Sequence, residues 1–498
     1  MMKKSHSATI KVTAFVIAAV LISGQPSAVS AEIDAASQAL SVSIPVNSTV
    51  NAGTSFIQTT AGNYFSVGLR ADGSVWTWGR NLYGELGIPD TTAVSNMNAP
   101  VRLSALSDIT SIASSGYGYQ LGVKKDGSVW EWGIHSGLTR ESQPPRQLSQ
   151  ISGASQVSTL QDFSFALMKD GTVSAWSRDH DTGESTKPFR IDGLNKITQL
   201  DISNGMVYAL DSSGSVWIFS ASLKDKQLLL SSPSRMNGLP ALKQISVYHS
   251  SKAYGVDADG TAWVWSVTNS SAAIKISNKP SKIYPQLKAK SIKAANGYAV
   301  LLTQQGEVWT YGKKPAGKEG KVNGLSGIVS IAAGDTHGLA IDSQGQVWGW
   351  GANQWNEVGV PRNTPDGMIY IPQRIQKPIT VIVNGKLLPA SFPSVMTNNQ
   401  ISIPLKNVAK ELGASLTVTT SSTGQTIYKL QYKQTAVTFQ MGSAEAQMNG
   451  QKLILSSPVY GMTGATMIPA SLLRPMGFDV SWDPKLAELY INVPNDSQ

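Results

Sequence analysis

Seven times the chain returns to one short pattern. The clearest copy is Leu69-Arg70-Ala71-Asp72-Gly73-Ser74-Val75-Trp76-Thr77-Trp78-Gly79, and the second runs from Val123 to Gly133 with Asp126-Gly127, Trp130 and Trp132 in the same places. Five looser copies are anchored on Gly171, Gly214, Gly260, Gly306 and Gly345. Each reads as a β-hairpin. A β-rich run enters a tight turn whose glycine reaches positive φ without strain. The strand that follows sets two aromatics at i and i+2, which a period of two places on one sheet face. The anchor glycines are 54, 44, 43, 46, 46 and 39 residues apart. A period in the forties with about four strands per repeat is the signature of a propeller blade.

Two further strands complete each unit. A small-residue strand precedes the hairpin, as in Ile328-Val329-Ser330-Ile331-Ala332-Ala333-Gly334 and Ile109-Thr110-Ser111-Ile112-Ala113. A Pro-marked or basic strand follows it, as in Pro100-Val101-Arg102-Leu103 and Pro372-Gln373-Arg374-Ile375. The first hairpin shows no small-residue strand directly ahead of it. The expectation is therefore that Pro372–Ile375 pairs into the N-terminal blade and closes the ring, removing the open edge that invites aggregation.

The recurring Asp-Gly-x-Val-Trp-x-Trp-Gly core resembles the regulator-of-chromosome-condensation repeat family, over roughly residues 54–375. The family's tail, Asn-x-x-Gly-x-Leu-Gly, is complete in the first copy as Asn81, Gly84, Leu86 and Gly87. The seventh copy keeps Asn353, Glu357, Val358 and Gly359, and the others have lost it. The resemblance implies a seven-bladed β-propeller. The loss of the tail weakens the nuclear exchange-factor role of the family's founding member. A secreted propeller-type β-lactamase inhibitor is similar in its blades, which implies that this blade type serves extracellular protein binding.

Beyond Gln376-Lys377-Pro378 the Trp-rich pattern stops and a twofold repeat begins. Val383-Asn384-Gly385-Lys386 matches Met448-Asn449-Gly450-Gln451, and Ile401-Ser402-Ile403-Pro404-Leu405 matches Thr466-Met467-Ile468-Pro469-Ala470. Each half reads as strand, Asn-Gly turn, strand, short helix and strand. Pro404 and Pro469 start the helices, and Gly413 and Gly477 end them. Pro475 should shorten or kink the second. This half-repeat, with Ile403-Pro404-Leu405-Lys406 and Val480-Ser481-Trp482-Asp483, resembles the small domain named after the N-terminal domain of copper amine oxidases, over about 379–494. No histidine lies beyond His337, so this region supplies no His-ligated copper site. The whole reads as a mainly β chain: a seven-bladed propeller followed by a small α+β domain of two pseudo-repeats.

The first residues read as a targeting segment. Lys3, Lys4 and Lys11 form a positive start, Val12 to Ile22 an apolar run, and Val29-Ser30-Ala31 a small-residue cleavage site. This is expected to be a secretory signal peptide over 1–31, with an uncleaved anchor as the alternative. Residues 32–53 read as a linker. The chain has no cysteine, which excludes disulfides, Cys-ligated metal and a thiol nucleophile. Export without cysteine fits a bacterial, Gram-positive, secreted protein, extracellular or wall-associated. The five histidines show no metal-ligand spacing. The net charge of +9 is diffuse, which suits a polyanionic wall or a merely solvated surface, and argues against a nucleic-acid partner.

A search for a nucleophile elbow, a zinc-protease pair, a phosphate loop and a calcium ladder finds none. Asp170, Asp211, Asp257 and Asp259 fall in the repeated turn, where side-chain hydrogen bonding explains them. The phased tryptophans are expected to pack between blades. No catalytic residue, cofactor or metal is assigned. The expected function is a secreted, non-catalytic binding or scaffold protein recognising an extracellular protein or a cell-wall polymer. The alternative is a secreted carbohydrate-active hydrolase with carboxylates at the propeller mouth. Strands alternate in direction, so the loops opposite the Asp-Gly turns share one face. They hold Tyr64, Tyr83, Tyr117, Phe163, His249, Tyr298, His337 and Trp355, the candidate binding residues; tucking inward over the channel is the competing fate. The insertion Ile88 to Ala99 is a further contact candidate or a tolerated variation in loop length.

Overall fold

The computed structural model describes residues 40–41 and 52–493, apart from 89–94, 135–141, 161, 180, 249–250, 270–273, 313–315, 317–318, 363, 389–391, 398 and 463. The expected signal peptide, most of the linker and the middle of the insertion lie outside these residues.

Each copy of the pattern builds one antiparallel sheet from consecutive strands. Blade 1 comprises Phe56–Ala61, Phe65–Arg70, Val75–Arg80 and Asn96–Arg102. Blade 7 comprises Ile328–Ala333, His337–Asp342, Val347–Ala352 and Met368–Arg374. The five between them begin with the inner strands Ile109–Ser114, Ala154–Thr159, Ile197–Ser203, Leu242–Val247 and Ala289–Ala294. The seven inner strands neighbour one another in order, blade 7 against blade 1 included, around a central channel.

Ring closure corrects the expectation from sequence. Met368–Arg374 pairs with its own hairpin, Trp348 opposite Arg374, and gives no strand to blade 1. The strand that seemed missing ahead of the first hairpin is Phe56–Ala61, which pairs with Phe65–Arg70. Its Gln58-Thr59-Thr60 lacks the aliphatic residue that the other inner strands carry, and Thr59 is buried in that place. The ring thus closes by packing and hydrogen bonds between whole blades. Phe56 N donates to Gly345 O at 3.0 Å across that seam.

The turn geometry explains the aspartates. Asp72 Oδ1 accepts from Ser74 N at 2.9 Å and from Ser74 Oγ at 2.6 Å, and Asp126, Asp170 and Asp211 repeat the arrangement. Gly73 sits at φ +78°, and a Cβ there would meet Asp108 Cα at 2.7 Å, so conformation and close approach both require glycine. The second aromatic is buried between blades at Trp78, Trp132, Phe219, Trp265 and Trp350, and Tyr311 is partly buried. The first meets a cation in blades 1 and 2, Arg70 over Trp76 at 4.2 Å and Lys124 over Trp130 at 4.2 Å.

Inner strands are sheet edges, with backbone groups facing the channel. Side chains of the preceding blade cover several of them. The Gln58 amide donates to Ile112 O at 3.0 Å and accepts from Ile112 N at 3.2 Å. Gln156 meets Leu200, Gln199 meets Ile245 and Gln244 meets Ile292 in the same way. A bulge at this position in every blade aims the side chain toward its neighbour.

The C-terminal region has two sheets around one core that includes Ile403, Leu430, Phe439, Ile468 and Leu489. The two halves meet at equivalent strands: Gln400–Pro404 pairs antiparallel with Ala465–Pro469, Ile403 opposite Ile468. Helix α1, Leu405–Glu411, starts after Pro404. Its counterpart is a single 3-10 turn, Ala470–Leu473, shortened as Pro475 implies. The domain leans on blade 1. Ala99 packs with Val395, Met462 and Met467, Arg102 Nη1 donates to Thr380 Oγ1 at 3.3 Å, and Arg70 Nη2 donates to Pro378 O at 3.0 Å. Burial, partly opposed by Asp72, lowers the pKa of the Arg70 guanidinium to about 9.

Candidate recognition face

The loops opposite the Asp-Gly turns contain one ordered aromatic platform, spread over blades 7, 1 and 2. Its scaffold is the tail motif. In blade 1, Asn81 Oδ1 accepts from Leu86 N at 3.1 Å, and Glu85 Oε2 accepts from Tyr83 N at 2.8 Å. In blade 7, Asn353 Oδ1 accepts from Val358 N at 3.0 Å, and Glu357 Oε2 accepts from Trp355 N at 2.7 Å. Tyr83 and Trp355 are therefore equivalent residues held in equivalent loops. Each tail also fastens its blade to the next. Gln120 of blade 2 donates to Glu85 O. From blade 1, Ser66 Oγ donates to Glu357 O at 2.8 Å and Trp78 Nε1 donates to it at 3.0 Å.

Arg80 organises the platform. Its Nε donates to Glu85 Oε1 at 2.6 Å, and its guanidinium lies over Tyr64 at 4.4 Å and Tyr83 at 5.5 Å. The neighbouring loop is tied on by Asn63 N donating to Gly116 O at 3.0 Å, which places Tyr117 beside it. Tyr117 is 48% exposed and Leu82 is 42% exposed. On the other side Asn356 Nδ2 donates to Asn96 Oδ1 at 2.5 Å, holding the Trp355 loop against blade 1.

The structure thus gathers Tyr64 and Tyr83 on Arg80 and holds the loops of Tyr117 and Trp355 against the same blade. It separates three other candidates from the surface. Phe163 is buried edge-on to Phe165. Tyr298 is buried and donates to Gly334 O at 2.9 Å, bracing blade 6 on blade 7. His337 is fully buried, with Nε2 at 2.8 Å from Ser66 Oγ, and burial lowers its pKa to about 3. These three open the second strands of their blades, where side chains face neighbouring blades rather than solvent. His249 lies outside the described residues. Two residues escaped sequence reading. Arg80 follows Trp-x-Trp-Gly where the other blades have varied residues, so repetition does not mark it. Tyr248, adjacent to the chosen His249, crosses the channel mouth, its hydroxyl donating to Asn63 Oδ1 of blade 1 at 3.0 Å.

Electrostatics distinguish the two tails. Glu357 is fully buried, one oxygen has no partner among the described residues, and burial raises its pKa to about 7. The position of Arg80 is taken by Ala352 in blade 7. No group of three or more His, Asp or Glu side chains with metal-site spacing occurs among the described residues, and no helix among them is long and apolar enough to cross a membrane.

Comparison with known proteins follows the same division. Residues 56–85, 72–119 and 328–354 match the regulator of chromosome condensation (RCC1) repeat. Residues 382–491 match the copper amine oxidase N-terminal domain. Human E3 ubiquitin-protein ligase HERC2 is 27% identical over 174 residues, covering 32% of this chain, which spans 4% of that relative's length. The crystal structure of human WBSCR16 superposes with a TM-score of 0.50 at 19% identity, over 61% of this chain and 96% of that one. Prp20p from Saccharomyces cerevisiae, studied with its binding to Gsp1p and histones, gives 0.49 at 18%, over 62% and 87%. Fold, repeat and tail motif agree: the chain carries regulator of chromosome condensation repeats in a mainly β propeller and, behind them, a copper amine oxidase N-terminal domain.

Proposed function

We propose that this is a secreted, non-catalytic binding or scaffold protein, and that the platform of Tyr64, Tyr83, Tyr117 and Trp355 contacts an extracellular protein partner. One observation carries the reading. Arg80 is clamped between two tyrosines and a buried glutamate, so the aromatics around it are ordered before any partner arrives. Preordered Tyr, Trp and Arg side chains are the residues that dominate binding energy at interfaces, because little entropy is lost when they dock. The carboxylates of the repeated turns are occupied in holding those turns, which favours binding over hydrolysis. The basic start, apolar run and small-residue site of 1–31 support export. The net charge of +9 supports residence near wall polyanions.

The test is capture of partners from a cell-wall and medium extract by the wild type and by the Tyr83→Ala/Tyr117→Ala/Trp355→Ala variant. The variant should keep its melting temperature within a few degrees and lose the captured protein. Equal capture by a folded variant would overturn the assignment of this face. Capture of glycan alone would replace the protein partner by a wall polymer.

A further inference from the structure

A propeller and a two-sheet domain expose many strand edges, and an unguarded edge is a template on which another strand can add. This chain guards its long edges with proline or charge. Asn96–Arg102 carries Pro100 and Arg102, Ser142–Leu148 carries Pro144, Pro145 and Arg146, and Met368–Arg374 carries Pro372 and Arg374. In the C-terminal domain Asp479–Asp483 has an aspartate at each end. Proline removes a backbone donor, and a charge resists burial under a second strand.

Among the described outward edges of five residues or more, Ser415–Thr420 alone has neither. It ends its sheet, pairs with Thr426–Tyr432 through six residues without a bulge, and leaves every residue but Leu416 exposed. The uncharged stretch is longer than the strand and runs from Leu412 to Tyr428. Val418 shares a sheet face with Leu416, which packs against the core, yet Val418 is 54% exposed. The apolar face of the sheet therefore continues onto a strand that nothing in the chain covers fully.

The hydrogen bonds of the hairpin show which backbone groups this edge presents. Ser421 N donates to Gln425 O at 2.8 Å, and Thr426 O accepts from Met441 N at 3.3 Å on the far side of the second strand. Bonded and non-bonded pairs alternate along an antiparallel ladder. Ser415, Thr417 and Thr419 thus turn their N–H and C=O groups inward to Gln431, Lys429 and Ile427, and Leu416, Val418 and Thr420 turn theirs outward.

About Val418 the sequence reads almost the same in both directions. Thr417 matches Thr419 and Ser415 matches Ser421, with Leu416 against Thr420 the exception. A twofold axis at Val418 converts that near-palindrome into a register. Val418 meets its own counterpart, and Leu416 and Thr420 meet each other on both sides of it. These are the residues whose backbone groups point outward. On the opposite face each Thr417 meets a Thr419, a favourable cross-strand pair. A twofold contact sets a patch against its own copy, so a charge near the axis would face its like, and this strand has none.

We propose that Ser415–Thr420 is a self-association edge, through which two copies of the chain join antiparallel about a twofold axis at Val418. The two sheets run on as one across the joint. Pairing uses up this edge in both copies, so assembly stops at the dimer. The proposal does not rest on the aromatic platform, and its test leaves that face untouched.

The experiment is sedimentation equilibrium of the purified chain from low to high micromolar concentration. The wild type should show monomer and dimer in reversible exchange and no larger species. Val418→Lys sets like charges on the axis without touching an inward hydrogen bond. It should keep the melting temperature and lose the dimer, and Val418→Glu should do the same. An equimolar mixture of these two variants should dimerise again, because opposite charges then face each other. Val418→Pro, which removes an outward N–H, serves as a further variant if Val418→Lys unfolds. A folded Val418→Lys chain that dimerises like the wild type would overturn the proposal, as would a mixture that stays monomeric or a wild type that grows into open-ended species. A wild type that is monomeric throughout would overturn it too, and would leave the edge to a foreign strand.

Discussion

Blades 1 and 7 carry the same tail and put it to different electrostatic use. Asn81 and Asn353 hold their loops alike, and Tyr83 and Trp355 donate to Glu85 and Glu357 alike. In blade 1 the glutamate meets Arg80, whereas in blade 7 that place is Ala352 and the carboxyl depends on backbone N–H groups. The difference matters because blade 7 is where the ring closes. The tail of blade 1 joins neighbours that are also consecutive in the chain, and the tail of blade 7 joins the last blade to the first. A glutamate motif can thus be kept for its loop geometry while its charge is balanced in one copy and left exposed to titration in the other.

The largest effect should come from breaking the balanced copy. Arg80→Ala leaves Glu85 buried without its cation, which costs about 3–5 kcal/mol. Urea unfolding at pH 7 should show this loss, and Arg80→Ala/Glu85→Gln should recover much of it.

The unbalanced copy should reveal itself through pH. The folded-state pKa of Glu357 is raised to about 7 from an ordinary 4.5. Its contribution is full below 4.5 and is lost as pH rises through 7, by roughly 3 kcal/mol. His337, at the same seam, is lowered to about 3 from 6.5, so its contribution is present above 6.5 and lost as pH falls toward 3. The two slopes oppose each other between pH 4.5 and 6.5. Glu357→Gln should therefore unmask a stability that rises with pH across that window; an unchanged profile in unfolding curves from pH 4 to 8 would show that Glu357 does not titrate there.

A smaller effect is expected from Gln58→Ala, which removes both bonds to the inner edge of blade 2, about 1–2 kcal/mol. Ser111→Ala, where no such clasp exists, should change the melting temperature less. Smallest of all, Ala352→Arg should give Glu357 a partner, stabilise the chain by up to about 1 kcal/mol at pH 8, and do less at pH 5.

The hairpins were readable because a turn glycine, an aspartate and two phased aromatics serve local geometry, and local geometry repeats. The C-terminal pseudo-repeat was readable for the same reason, with Asn384-Gly385 and Asn449-Gly450 both at positive φ. Phe56–Ala61 was not, because Thr59 takes the buried place that Ile, Val or Leu holds in the other inner strands. Closure was misread as a consequence, and Pro372–Ile375 was given a partner it does not need. At the candidate site, Tyr64, Tyr83, Tyr117 and Trp355 could be placed on one face from strand direction alone. That Tyr298, His337 and Phe163 turn into blade interfaces depends on the rotation of each second strand, which no local pattern records. Arg80 matters through its contacts with Tyr64, Tyr83 and Glu85, and these emerge only once the loops are folded.

Because every blade is built from consecutive strands, no early segment has to wait for a late one before its own sheet is complete. Most strand pairings span only a few tens of residues, which keeps loop-closure entropy small and favours rapid local folding. Blades can therefore form one after another as the chain becomes available from its N-terminal side. The seam between blades 7 and 1 is then the last and most distant contact to form. Its rate should report on assembly of the ring, and it is the joint at which an unfinished ring stays open.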